Sequence, residues 1–200
     1  MKKIENVINT LVASMETNSI NQIPELNYFS NYAELKSMHE KKEITFGYQF
    51  QESIIDNFGS TFEILLDKVL LSSPIIMILL SVLFAYTKSQ LYFLIGVPLS
   101  ILGIFLTTPS IIKSGSSLMG IICLTLLITG IQISFNNFEL GFLFLSFSIP
   151  NFLLTVNRQL KMQVFERAIL YSEIIFCYYF LRGECYLIRK IDQRLFQKRS

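Results

Sequence analysis

The chain has 200 residues, of which 52% are hydrophobic and 16% charged, with a formal net charge of +2 at neutral pH. A soluble domain spreads its charges over every amphipathic element, yet between Val69 and Asn157 only Lys88, Lys113 and Glu139 are charged. That distribution leaves the middle of the chain no water-facing side and argues against one large soluble domain.

Residues 1–68 hold six lysines and ten acidic residues, a net charge of about −4, and read as a small acidic cytoplasmic region. Met1-Lys2-Lys3 is followed by Glu5, Asn6, Asn9 and Thr10, so no cleavable signal peptide is expected. Ile4, Val7, Ile8, Leu11 and Met15 recur at helical spacing and predict an amphipathic helix. Asn18 to Tyr32, with Pro24, suits a loop. Ile44, Phe46, Tyr48 and Phe50 alternate with polar neighbours, as in a strand. A single strand cannot make a sheet, so it needs another chain, an unrecognised strand, or a role as an extended linker. From Gln51 the period becomes helical: Ile54, Ile55, Phe58, Phe62, Leu65, Leu66 and Val69 form one stripe leading into the apolar middle. That helix is expected to lie on a membrane surface or pack on its neighbours, with transmission of movement into the bundle as the sharper reading.

The charge-free runs 69–87, 89–112, 114–138 and 140–157 approach the roughly 20 apolar residues that a bilayer core requires. They predict spans at 69–87, 90–108, 117–135 and 140–156 within a 69–157 bundle. Tyr86, Tyr92, Phe105 and Phe138 sit near the ends of the runs, where aromatic rings anchor at interfaces. Turns near Lys88, 109–117 and Asn136 to Glu139 are short enough to force antiparallel neighbours, with both termini on one side. Lys2, Lys3, Lys68, Lys113, Arg158 and Lys161 share that side, which places it in the cytoplasm.

Residues 158–200 carry nine basic and four acidic side chains, a net charge of about +5. The apolar run Ala168 to Leu181, interrupted by Glu173, is short for a span, and a crossing there would strand the basic tail outside. The expectation is a basic amphipathic cytoplasmic helical region, with a buried or re-entrant helix as the alternative. Its aromatic residues Tyr171, Phe176, Tyr178, Tyr179 and Phe180 require a cover, from the N-terminal region or from another subunit. The fold class expected overall is an all-α integral membrane protein: a four-transmembrane-helix antiparallel bundle with small cytoplasmic extensions.

Candidate functional residues fall into three groups. Ser148, Asn151 and Thr155 form, with Gly141, a polar stripe on the fourth run. There Pro150 frees a backbone carbonyl, and the stripe reads as helix-to-helix bonding or as the lining of a pore. Gly96, Ser100 and Gly103 give the second run a small-residue packing face, with Pro98 inside it. Arg182, Arg189, Lys190, Arg194, Lys198 and Arg199 form a basic set suited to anionic lipid or an acidic protein surface. Nucleic acid is disfavoured, because no recognition motif accompanies these residues.

No Walker loop, GxSxG or HExxH occurs. The lone His39 has no nearby Cys, and Cys123, Cys177 and Cys185 form no CxxC pair, so no metal, cofactor or catalytic residue is expected. Glu173, Arg182 and Cys177 are the residues a motif-free enzyme would draw on. Lys in excess of Arg, with abundant Ile, Asn and Phe, points to a bacterial source. The functional expectation is a non-enzymatic inner-membrane protein with both termini cytoplasmic. It would self-associate and couple a cytoplasmic partner or signal to the membrane, as a pore-like effector or a docking platform. Accessory membrane proteins of bacterial defence systems have this general build, an analogy without a shared motif. The alternative is a passive channel or small-solute transporter using the polar stripe.

Overall fold

The alternating stretch at Ile44 finds its partner in a segment expected to be helical. In the computed structural model, which describes residues 2–14, 19–48, 54–106, 116–192 and 194–197, strand β1 (Ile44–Tyr48) pairs antiparallel with β2 (Cys185–Arg189). In turn β2 pairs antiparallel with the short β3 (Leu195–Phe196), giving the order β1-β2-β3. The all-α expectation is therefore corrected; within residues 158–200 the helical reading holds as far as residue 181, and the strands β2 and β3 replace it beyond. Of the three partners considered for the strand, the unrecognised strand is the one found. The register sets Gly47 opposite Tyr186, and a Cβ at 47 would collide with the Tyr186 ring, so glycine is what lets that ring lie across the strand.

Among the described residues the α-helices are, in chain order, α1 (Lys2–Ser14), α2 (Tyr32–Glu40), α3 (Ile54–Phe58), α4 (Thr61–Thr87), α5 (Gly96–Leu106), α6 (Ser116–Asn136), α7 (Phe138–Tyr171) and α8 (Glu173–Leu181). Two units divide the chain: residues 1–60 with 161–200, and residues 61–160. The two chain ends thus build one unit, and the apolar middle builds the other.

In the unit of chain ends, the Asn18 to Tyr32 stretch contains two 3-10 turns, Ile20–Gln22 and Pro24–Leu26, which bury Ile20, Ile23 and Leu26. Helix α2 starts at an N-cap, where Asn31 Oδ1 accepts from the Glu34 N–H at 2.9 Å while Glu34 Oε2 accepts from the Ser30 N–H at 2.7 Å. Helix α8 ends in a Schellman turn. Gly183, at φ 72°, lets its own N–H reach Phe180 C=O and the Glu184 N–H reach Tyr179 C=O. That glycine is the signal that converts the apolar helix into strand β2, and a non-glycine residue would resist the left-handed conformation. Ile175, Phe176, Cys177 and Phe180 of α8 are fully buried. Part of the aromatic run is covered by the N-terminal region of the same chain, the Tyr32 ring lying 5.9 Å from Phe176 and Phe58 6.1 Å from Tyr179, while Tyr171 stays exposed.

The predicted continuous stripe from Ile54 to Val69 is broken at Gly59 and Ser60, between α3 and α4. Ile54, Ile55 and Phe58 are buried, whereas Phe62, Leu65 and Val69 are exposed. The shared helical period concealed two elements, because glycine interrupts the helix where the chain leaves one unit for the other.

In the unit of residues 61–160, α4 and α7 are long and apolar enough to cross a membrane. The other two apolar stretches occur as shorter helical pieces, Leu91–Leu102 and Ile121–Asn136. The second predicted run is split into a 3-10 turn, Leu91–Ile95, and α5. Pro98 lacks the N–H that would donate to residue 94, so it falls in the first turn of α5, where that loss is tolerated. At the Lys88 end, Phe84, Phe93, Phe138 and Phe142 interlock, with Phe84 meeting Phe142 edge-on at 5.1 Å and Phe93 meeting Phe142 at 5.3 Å. The turn into α7 is tight: Asn137 Oδ1 accepts from the Leu140 N–H at 3.0 Å, and a Cβ at Gly141 would meet the Ser134 backbone. Of the predicted turn at 109–117, residues 109–115 lie outside the described residues and 116–117 begin α6; the Phe50 end of the strand also lies outside them.

Candidate functional site

Two places gather the residues singled out by the sequence. The first lies among α4, α5 and α7. One face of α4 buries Asp67, Leu70, Ser73, Pro74, Met77, Ser81 and Ala85, a spacing of three and four that marks a packed helix face. Every buried polar side chain described, apart from Glu184, belongs to residues 61–160.

Proline explains two of these buried polar side chains, Ser73 and Ser100. Pro74 and Pro150 lie inside α4 and α7, and each lacks the N–H that would satisfy the carbonyl four residues earlier. A buried carbonyl left without a donor costs about 1–3 kcal/mol. For Pro74 the orphan is Leu70 C=O, and Ser73 Oγ donates to it at 2.7 Å. For Pro150 the orphan is Ser146 C=O, and the donor comes from another helix: Ser100 Oγ of α5, at 3.0 Å. Ser100 Oγ also lies 2.8 Å from Gly96 C=O. A Cβ at Gly96 would collide with Ser81 Oγ and crowd Ser146 Oγ, so the small residue is what lets α4, α5 and α7 meet closely. Of the predicted packing face, Gly96 and Ser100 are brought to this junction, while the surroundings of Gly103 lie outside the described residues.

The polar stripe bonds inwardly. Ser148 Oγ donates to Phe144 C=O at 2.8 Å, Asn151 Nδ2 to Phe147 C=O at 2.7 Å and Thr155 Oγ1 to Asn151 C=O at 2.8 Å. All three bonds return to carbonyls of their own helix four residues back. Ser148 and Asn151 are fully buried, and Asn151 Oδ1 has no hydrogen-bond partner.

The second place is the charged surface of the chain-end unit. His39 Nε2 of α2 lies 2.6 Å from Glu166 Oε1 of α7. Glu173 Oε1 accepts from both Ser19 Oγ and the Ile20 N–H at 2.8 Å, tying the N-terminal segment to the start of α8. Arg182 Nε donates to Glu184 Oε1 and its Nη1 to the Tyr178 hydroxyl, each at 2.7 Å, bonds that strengthen its hold on its proton. Arg189 forms a forked pair with Asp192 and covers the Tyr28 ring at 4.6 Å. That pairing holds the Asp192 carboxyl well below the usual carboxylate range. Arg194 lies over the Phe196 ring at 5.0 Å. The predicted basic set is thus divided: Arg182 and Arg189 are occupied by acidic partners, Lys190 and Arg194 lie on the exposed hairpin, and Lys198 and Arg199 lie outside the described residues. Sequence reasoning missed the ring beneath Arg189, since Tyr28 stands at the opposite end of the chain; the ring beneath Arg194 is its near neighbour Phe196.

Cys177, fully buried beside the Glu173 turn, has its thiol pushed up to about 12, first by burial and then by the nearby Glu173 charge. Burial likewise pushes the Tyr179 hydroxyl up to about 12. Both groups are therefore poor nucleophiles at neutral pH. No set of three or more metal-ligating side chains occurs among the described residues. No protein-family model, curated protein or solved structure matches the chain.

Proposed function

We propose that this protein is a non-enzymatic, multi-pass protein of a bacterial inner membrane. Its four apolar helices cross the bilayer, both termini lie in the cytoplasm, and it self-associates. It works as a docking platform that couples a cytoplasmic protein partner or signal to the membrane, a role of the kind accessory proteins of defence systems fill. The observation that carries this reading is the reversal of polarity in residues 61–160, where polar side chains are buried and large apolar ones are exposed. Such a surface is stable against lipid and unstable against water. The inward bonds of Ser148, Asn151 and Thr155 favour a platform over a pore, because those groups already hold partners in their own helix. The residues an enzyme would draw on are also engaged: Glu173 with Ser19, Arg182 with Glu184, and Cys177 in the core.

The test is extraction and leakage. Membranes carrying the protein should retain it through alkaline carbonate and release it only to detergent, and chemical crosslinking there should capture oligomers. Release by carbonate would end the reading. Liposomes containing the protein should hold a small trapped dye, and alkaline phosphatase fused after Ser200 should stay inactive in the cytoplasm.

One observation favours a conducting path instead: the buried Asn151 Oδ1 without a partner. In that reading the stripe lines a channel for small solutes. Asn151→Leu separates the two, since a channel loses flux or selectivity and a packing residue changes only stability.

A further inference from the structure

The turn between β2 and β3 sets apolar and basic side chains side by side in a unit that hides most of its large apolar residues. Ile191 is 81% exposed and Leu195 53%, while Lys190 and Arg194, which flank them, are exposed as well. The sheet brings a second basic turn alongside, because the Lys190 N–H donates to Glu43 C=O at 2.8 Å. Lys41 and Lys42, both exposed, stand in the turn that leads through Glu43 into β1. Asp192 braces the hairpin from within: besides the fork to Arg189, its Oδ1 accepts from the Arg194 N–H at 3.2 Å. Lys41, Lys42, Lys190 and Arg194 thus stand against Glu40, Glu43 and Glu25, the last lining one depression with Arg194 and Leu195, with Asp192 committed to Arg189.

We propose that the β2–β3 hairpin and the Lys41–Lys42 turn form an interfacial anchor, which lays Ile191 and Leu195 among the headgroups of an anionic bilayer. This rests on the membrane reading above and names lipid as the hairpin's partner. Two exposed apolar side chains next to basic ones in the chain match an anionic interface, where apolar burial and attraction to phosphate act together. A flat lipid surface demands no shape complementarity from so small a patch. The unit is joined to the apolar helices at both of its boundaries, Ser60–Thr61 and Leu160–Lys161, so the bilayer those helices occupy is present at high effective concentration.

The chain contains no tryptophan, so Ile191→Trp supplies a single indole emitter at an exposed position. The full-length variant is placed in nanodiscs of neutral phosphatidylcholine, and in discs containing phosphatidylglycerol. Anionic discs should shift the emission to the blue and allow quenching by brominated lipid, and neutral discs should do neither. The shift should collapse in 1 M salt, where the screening length falls to about 3 Å. Adding Lys190→Glu and Arg194→Glu should abolish it, since each cation lost lowers the docked fraction relative to the free about fivefold. Equal emission in both discs, or a shift that survives the double charge reversal, overturns the anchor; the latter would mean an apolar contact with protein. A variant that needs detergent for extraction yet keeps a water-exposed tryptophan sinks the anchor alone, whereas a chain soluble without detergent sinks the membrane reading.

Discussion

Residues 61–160 and the unit built from the chain ends sort their side chains in opposite ways. Among the described residues, the chain-end unit buries twenty-three apolar side chains and exposes six large ones, whereas the middle unit buries six and exposes twenty-three. In the first unit apolar surface is withdrawn from water into a core of interlocked rings around Phe176; in the second it lies on the outside, as the proposed membrane role requires. The contrast reaches the hydrogen bonds. The chain-end unit satisfies its backbone with caps, a Schellman turn and a sheet, and the middle unit uses serine hydroxyls to cover carbonyls that proline leaves bare.

The comparison can be broken most forcefully in the core. Phe176→Ala should destabilise the chain-end unit by about 3–5 kcal/mol, because the ring is fully buried and meets Tyr32, Phe46 and Phe180. Thermal melting of the detergent-solubilised protein should show the loss, and an unchanged melt would mean that the core is not packed as described.

Leu79→Arg tests which solvent faces α4, since Leu79 is 63% exposed. A charge at the centre of a lipid-facing helix costs about 2.5–3.5 kcal/mol on insertion scales, while a water-facing site tolerates it to within about 0.5 kcal/mol. The membrane-integrated fraction of the variant decides between the two.

Ser100→Ala should cost about 1–3 kcal/mol by leaving Ser146 C=O buried without its donor. In a Pro150→Ala background the penalty should shrink, because the substituted alanine restores an N–H to that carbonyl. A double-mutant cycle measures the coupling, and strict additivity would show that the two residues do not share the carbonyl.

The smallest effect is alkaline. The thiol of Cys177 is raised from 9.0 to about 12 and the hydroxyl of Tyr179 from 10.0 to about 12, each mainly by burial. The unfolded chain ionises first, so the stability these groups protect is complete below pH 9 and declines as the pH rises toward 12. Cys177 should accordingly resist alkylation by iodoacetamide at pH 8 until the protein is unfolded.

Much of the middle unit was legible because its signals are local. Runs without charge mark the apolar helices, and Pro150 marks a carbonyl its own helix leaves bare, whereas the split of the second run, expected as one span at 90–108, is not legible in charge or period. The identity of the cover was not legible: Ser100 and Ser146 belong to different runs, and no spacing rule connects them. The chain-end unit was harder to read throughout. The alternation at Ile44 announced a strand without its partner, and an apolar helical run ahead of Cys185 hid the turn that Gly183 makes. The stripe from Ile54 to Val69 looked like one helix because period alone does not register a break at Gly59.

By itself the sequence determined that the middle of this protein is apolar and helical, because charge and period are properties of a segment and need no knowledge of its neighbours. Only the tertiary structure decided that the acidic front and the basic tail share one core and one sheet, and that a serine of one helix serves a carbonyl of another. Those pairings join residues far apart in the chain, and their energy comes from the contact formed on folding and not from either partner's local preference.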